Sequence, residues 1–270
     1  MSSMQLRTQQ TPIDEGGGSE KTGATSRSGL NTGLDVLQLL SSAHQLNLTE
    51  IANGLGKSKS GIHTVLNTLR TRGFVERMPQ GDYRLGARAW ELGRASFSSE
   101  IESLANPYLK RLEEQTNEAV ILGVLDGFDV LYLTVFPGNH AVRLNVKVGE
   151  RIPAHLTSTG ISLLAALDNN QVKAIMPQSF QTSTALSIAS EEALWLEIEK
   201  ARRNGYTHMK GGWHNDVGGI AKSACDASGR PIAGICVSAP LYRVDDDWYK
   251  RMKSEIDFTV CSIEVQLRQA

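Results

Sequence analysis

Apolar positions recur with helical period at Leu34, Val36, Leu37, Leu39 and Leu40, which predicts a helix over 31–43. Asn47 then stands three residues before Glu50, the spacing of a capping box. Leu48, Ile51, Ala52 and Leu55 repeat on one face until Gly56 supplies a left-handed stop. A second short helix follows at once, with Ser58 as its N-cap, Ile62, Val65, Leu66 and Leu69 at i, i+3, i+4 and i+7, and Gly73 as its end. After Gly73 the period falls to two. Phe74, Val75 and Arg77 lead into a turn over 78–82, and Tyr83, Arg84 and Leu85 return from it, which predicts a two-stranded wing. Two short helices at a tight turn followed by a small hairpin are the layout of a winged helix-turn-helix over 46–85.

Past the wing the pattern is helical again over 87–97, with Trp90 and an Arg/Glu surface. A further helix over 100–116 carries Ile101, Leu104, Tyr108 and Leu112 on one stripe, and Pro107 marks a kink or a restart. Strands are expected at 119–125, 129–136 and 142–148, the first two joined by the Asp126-Gly127 turn. Helices follow at 158–167, 171–175 and 190–203, strands at 206–209, 219–226 and 231–238, and a last helix at 245–267. Antiparallel strands with helices in two blocks predict an α+β fold, and the absence of any internal repeat excludes a solenoid. Residues 1–29 lack aromatics and are rich in Ser, Thr, Gln and Gly, so a disordered arm is expected there. The expected organisation is thus an arm over 1–29, a winged helix-turn-helix over 30–86, a helical linker over 87–104 and a second domain over 105–270.

The polar face of the second short helix carries Lys59, Ser60, His63, Thr64, Asn67 and Arg70. Short polar groups and cations of this kind can reach base edges and phosphates in a major groove, and Arg77 and Arg84 on the wing would clamp phosphate beside it. A small helical subdomain with a solvated face is the plainer alternative, and charge separates the two. The whole chain is formally −1, yet residues 57–94 hold eight Lys or Arg against three acids, a net of 8 − 3 = +5, which leaves −1 − 5 = −6 for the rest. A basic patch on an otherwise acidic chain is the footprint of a duplex-DNA-binding module joined to something else.

With 270 residues, 40% of them hydrophobic and 21% charged, the chain can fill two cores. No stretch approaches the apolar length of a membrane helix and no secretory core opens the chain, so a cytoplasmic protein without a membrane partner is expected. Cys225, Cys236 and Cys261 show no metal-type spacing. Cys225 would face Ile232 across a tight hairpin, which leaves Cys236 four residues further along, on the order of 13 Å away. The two are expected as small hydrophobes, with no metal and no cofactor. An enzyme using Cys236 with His155 or His214 is the rival reading. Against it, the chain holds no Gly-x-Ser-x-Gly, no His-Glu-x-x-His and no phosphate loop, so no catalytic residue is assigned. A non-specific DNA-binding protein is the other rival, and a large second domain argues against it.

Several stretches resemble the IclR family of bacterial transcriptional regulators over about residues 30–267. These are Gly33 to Leu40, Leu48 to Ala52 with Ile62 to Leu69, Arg151 to Gly160, Asn204-Gly205-Tyr206, Gly218 to Ala221, Asp226 to Pro231 and Val237 to Pro240. The resemblance implies a GAF-like effector domain, dimers or tetramers, and a small metabolite, frequently a carboxylic acid, that alters operator affinity. Carried over by position, it implies an effector pocket at Ser158, Thr159, Met209, Val217, Gly219, Cys236 and Ser238, with the backbone at 158–159 suited to a carboxylate at a helix start. This chain departs from the family where many members carry an acidic run, placing Met209 to His214 there instead. The expected consequence is a pocket without an acidic wall, suited to a larger, flatter, ring-bearing acid, with Lys210 or His214 as counter-charge.

Overall fold

Capping chemistry fixes the helix starts in the first part of the chain. The Asn47 side chain accepts from the N–H groups of Thr49 and Glu50 while the Glu50 carboxylate accepts from the Asn47 N–H, so α2 (Leu48–Gly54) starts where the sequence places it. Ser58 accepts from the Gly61 N–H and opens α3 (Lys59–Thr71). Gly56 and Gly73 take the positive φ that ends each helix. These helices pack with α1 (Lys21–Ala43) and the hairpin β1 (Val75–Arg77) and β2 (Tyr83–Leu85) around Val36, Leu40, Ile51, Ile62, Leu66 and Tyr83. The computed structural model describes residues 21–43, 45–94 and 97–269, and the chain divides between residues 95 and 96 into two compact units.

The first helix starts ten residues earlier than expected. Residues 21–30 carry no apolar stripe for periodicity to register, yet a helix already nucleated over 31–43 adds one hydrogen bond for each residue it extends. The expected arm therefore loses 21–29 to helix, and 1–20 lie outside the described residues. The helix α4 covers Ala87–Arg94.

The second unit opens on α5 (Phe97–Thr116), a single helix through Pro107, so of the kink or restart expected there the restart does not occur. A six-stranded antiparallel sheet follows in the order β5-β4-β3-β8-β7-β6, built from β3 (Ala119–Asp126), β4 (Asp129–Phe136), β5 (Arg151–Pro153), β6 (Thr207–Lys210), β7 (Val217–Cys225) and β8 (Pro231–Pro240). Strand period decides its two faces. Val120, Ile220 and Val237 pack against α5 and α9 (Asp246–Leu267), whereas Ile121, Ala221 and Cys236 face α6 (Ser158–Ala166), α7 (Asn169–Ile175) and α8 (Glu191–Asn204).

Two strand expectations are corrected. Residues 142–148 form no strand: the edge of β4 is taken by β5, the Tyr132 N–H donates to the Glu150 carbonyl, and Gly149 turns the chain at φ +84°. The apolar alternation in 142–148 marks no single buried face: Val142 and Val148 meet solvent, Leu144 and Val146 are half-buried, and Arg143 and Asn145 border the same cavity as that pair. Cys225 pairs with Pro231 rather than Ile232, because the register shifts between Ala224 and Cys225. Cys236 is buried, Cys225 half-buried and Cys261 exposed.

Candidate functional site

In the first unit, α3 buries Ile62 and Leu66 and leaves Lys59, Ser60, His63, Thr64, Asn67 and Arg70 exposed. The Thr64 hydroxyl donates back to the Ser60 carbonyl at 3.1 Å, so its methyl group and its acceptor lone pairs are left to meet a ligand. On the wing, register sets Glu76 opposite Arg84 and Arg77 opposite Tyr83. Arg84 forms an ion pair with Glu76, and Arg77 stacks over the Tyr83 ring at 5.7 Å. The phosphate role expected of Arg84 therefore meets a competing carboxylate, while Arg77 lies beside the turn at the wing tip.

In the second unit, one cavity of about 480 Å³ is bordered by all seven residues the resemblance singled out: Ser158, Thr159, Met209, Val217, Gly219, Cys236 and Ser238. Sheet register gathers five of them. Gly219 pairs with both Met209 and Ser238, Cys236 lies two residues before Ser238 on the same face, and Val217 lies at the start of β7. Gly219 supplies open floor: a Cβ built there would lie 3.0 Å from Ser158 Oγ, 3.2 Å from Ser238 Oγ and 3.3 Å from Cys236 Sγ. The helix α6 aims its start at this floor. Thr157 caps it by accepting from the Gly160 N–H at 2.9 Å, and helix geometry leaves the N–H groups of Ser158 and Thr159 outside the intrahelical ladder. Only glycine fits at 160, because any Cβ would collide with the Ala154 carbonyl.

The electrostatics of the inner end favour an anion. Partial positive charge at the start of α6 and the Ser158 hydroxyl converge there, while the Ser238 hydroxyl donates to the Gly218 carbonyl at 3.0 Å. Burial pushes the Cys236 thiol up and the Tyr132 phenol up, so both stay neutral and add no competing negative charge. A thiol held protonated is also a poor nucleophile. Met209, Trp213, Leu156 and Ile152 supply apolar wall, and Trp213 meets the His214 ring edge to face at 5.6 Å.

Three features of the cavity escaped the sequence reading. Lys210 is not part of it: strand alternation sends Lys210 to the other face of β6, where its ammonium sits 5.3 Å from the Tyr249 ring centre. His214, the other expected counter-charge, does border the cavity, and Arg143 borders it as well. Nor is the acidic wall absent, since Asp216 and Glu150 both border the space. Glu150 is partly engaged, accepting from the Lys147 N–H at 3.1 Å. Tyr132, Arg143 and Glu150 come from strands and loops remote in sequence, and only the Tyr132 position on a period-two strand carried any signal. Among the described residues no group of three or more His, Cys, Asp or Glu could hold a metal ion.

Two family models match the chain, the IclR helix-turn-helix domain over residues 30–79 and the bacterial transcriptional regulator IclR C-terminal domain over 94–264. The chain belongs to the IclR family of transcriptional regulators. Similar proteins include the HTH-type transcriptional regulator XynR of Escherichia coli K12, 31% identical over 79% of this chain and 86% of the relative. The HTH-type transcriptional regulator BhcR of Paracoccus denitrificans is 30% identical over 90% of this chain and 88% of its own length. Among solved structures, an IclR homologue from Microbacterium hydrocarbonoxydans complexed with 4-hydroxybenzoate superposes with a TM-score of 0.79 at 25% identity, covering 90% of this chain and 100% of that one. The α+β architecture is that of the family, and among the described residues no helix is long and apolar enough to cross a membrane.

Proposed function

We propose that this IclR-family chain binds operator DNA as a dimer or tetramer and releases or grips it according to whether an aromatic or ring-bearing carboxylic acid occupies the cavity. One observation carries the ligand class: the cavity joins an anion-binding helix start at Ser158 and Thr159 to walls of Trp213, Met209 and Tyr132 around a glycine floor. A two-carbon acid would satisfy the helix start and leave most of about 480 Å³ uncovered. A ring bearing the carboxylate would fill it and shed apolar surface from water at roughly 25 cal/mol per Å². The 4-hydroxybenzoate bound by the Microbacterium homologue is of this class.

DNA recognition falls to Lys59, Ser60, His63, Thr64, Asn67 and Arg70 toward the major groove, with Arg77 and Arg84 on phosphate, and the linker over 87–104, of which 95 and 96 lie outside the described residues, leads to the effector domain. The switch is a population shift between DNA-competent and DNA-incompetent arrangements, which requires the acid to bind one of them more tightly. Calorimetric titration with 4-hydroxybenzoate, benzoate and glyoxylate tests the ligand class. Binding of the aromatic acids at least tenfold tighter than glyoxylate is expected, and tight glyoxylate binding with no response to either aromatic acid would refute it.

A further inference from the structure

Four consecutive residues, Arg143 to Val146, wall the effector cavity, yet the segment 142–148 joins no strand ladder. Its anchor comes from a part of the chain about a hundred residues away. The Arg243 guanidinium donates from Nη1 to the Val142 carbonyl at 3.3 Å. The same group forks onto Glu118, Nε to Oε1 at 3.0 Å and Nη2 to Oε2 at 2.7 Å. The Glu118 side chain is 5% exposed and that of Arg243 18%, and His140 Nε2 stands 3.7 Å from Glu118 Oε1.

A buried ion pair surrenders about as much hydration as it gains in attraction, so stability alone does not explain this one. What a two-pronged guanidinium–carboxylate contact provides is fixed geometry. Glu118 sits where α5 meets β3, and Arg243 sits in the turn just past β8, whose Leu241 N–H donates to the Asp216 carbonyl at 2.7 Å. The fork therefore ties Val142, at the foot of the 143–146 wall, to the turn after β8, and that turn holds the loop at Asp216 through Leu241.

We propose that the Glu118–Arg243 fork is a latch that positions the 142–146 wall, and with it Arg143, over the bound acid, making Arg243 a positioning residue for ligand affinity. The affinity half of this inference rests on reading the cavity as the effector site. The positional half does not. Lysine keeps the charge of arginine but cannot hold two carboxylate oxygens and a carbonyl in one plane, so Arg243→Lys is the sharpest variant and Glu118→Gln the second.

The test is limited trypsin cleavage of the full chain without ligand, followed by calorimetry with 4-hydroxybenzoate. In Arg243→Lys, cleavage after Arg143 and Lys147 should quicken at least fivefold while the thermal melt holds, and 4-hydroxybenzoate affinity should fall at least fivefold. Combined with Arg143→Ala, the loss should stay within twofold of the larger single loss, because both changes remove the same wall contact. Unchanged cleavage at both sites in Arg243→Lys overturns the latch whatever the ligand results. Faster cleavage with undiminished affinity, or fully additive losses, overturns the positioning role. Should the unaltered protein bind no aromatic acid while cleavage still quickens, the latch stands and the proposed ligand class fails.

Discussion

Gly219→Ala is the smallest change that reaches the floor of the cavity. Its new methyl group would sit 3.0 Å from Ser158 Oγ, 3.2 Å from Ser238 Oγ and 3.3 Å from Cys236 Sγ, so at least one of these must shift by a few tenths of an ångström. The φ of Gly219 is not among the positive ones, so alanine is backbone-compatible there. Overpacking of this kind costs typically about 1–3 kcal/mol. Here that cost falls on the bound state, because an empty cavity can absorb the displaced hydroxyls and an occupied one cannot. Converted at 1.4 kcal/mol per tenfold, 4-hydroxybenzoate should bind roughly 5- to 150-fold more weakly. Calorimetry on both proteins reads the ratio, and a thermal melt without ligand shows whether the fold is intact. An unchanged affinity with an unchanged melt would refute the placement of the ligand against Gly219.

Asn47→Ala removes the two capping hydrogen bonds its side chain accepts, at 2.9 and 3.0 Å, and should cost about 1 kcal/mol of stability in the first unit, measured by denaturant unfolding. Glu76→Gln should free Arg84 from its ion pair and tighten binding to all duplexes alike, with a steeper salt dependence, read by fluorescence anisotropy across salt concentrations. His155 is buried between Phe128 and Phe180, with Nε2 at 2.8 Å from the Gln181 carbonyl and Nδ1 unpartnered, and burial lowers its pKa against the weaker opposing pull of Asp129. The unfolded chain therefore takes up this proton first as pH drops. Stability present above about pH 6.5 should decline below it until the folded group titrates, and His155→Gln should flatten that slope in melts between pH 7 and 5.

Where side chains act on their own backbone, the sequence was readable: Asn47 and Ser58 each cap the helix that follows, and Gly56 and Gly73 take the left-handed conformation that ends those helices. Alternation misled where no strand pairing stands behind it. Val142, Leu144, Val146 and Val148 alternate with polar residues in sequence, yet the outer two meet solvent and Arg143 to Val146 border the cavity in an unbroken run, and the three-residue strand that does pair with β4 ends in proline and is too short to register. The same period, correctly applied at β6, separates Met209 from Lys210 and removes the lysine from the pocket. Family resemblance supplied the positions along β7, β8 and α6, whereas Arg143, Glu150 and the Glu118–Arg243 fork depend on contacts between segments far apart in sequence, which local pattern does not encode.

Filling the cavity should change the grip on DNA. Duplexes selected by the protein from fragments of its own genome supply the operator, and anisotropy with and without saturating 4-hydroxybenzoate supplies the measurement. At least a fivefold shift in operator affinity is expected for the unaltered chain, with Gly219→Ala needing correspondingly more acid to reach it. Operator affinity that stays the same with the cavity demonstrably occupied would contradict the account.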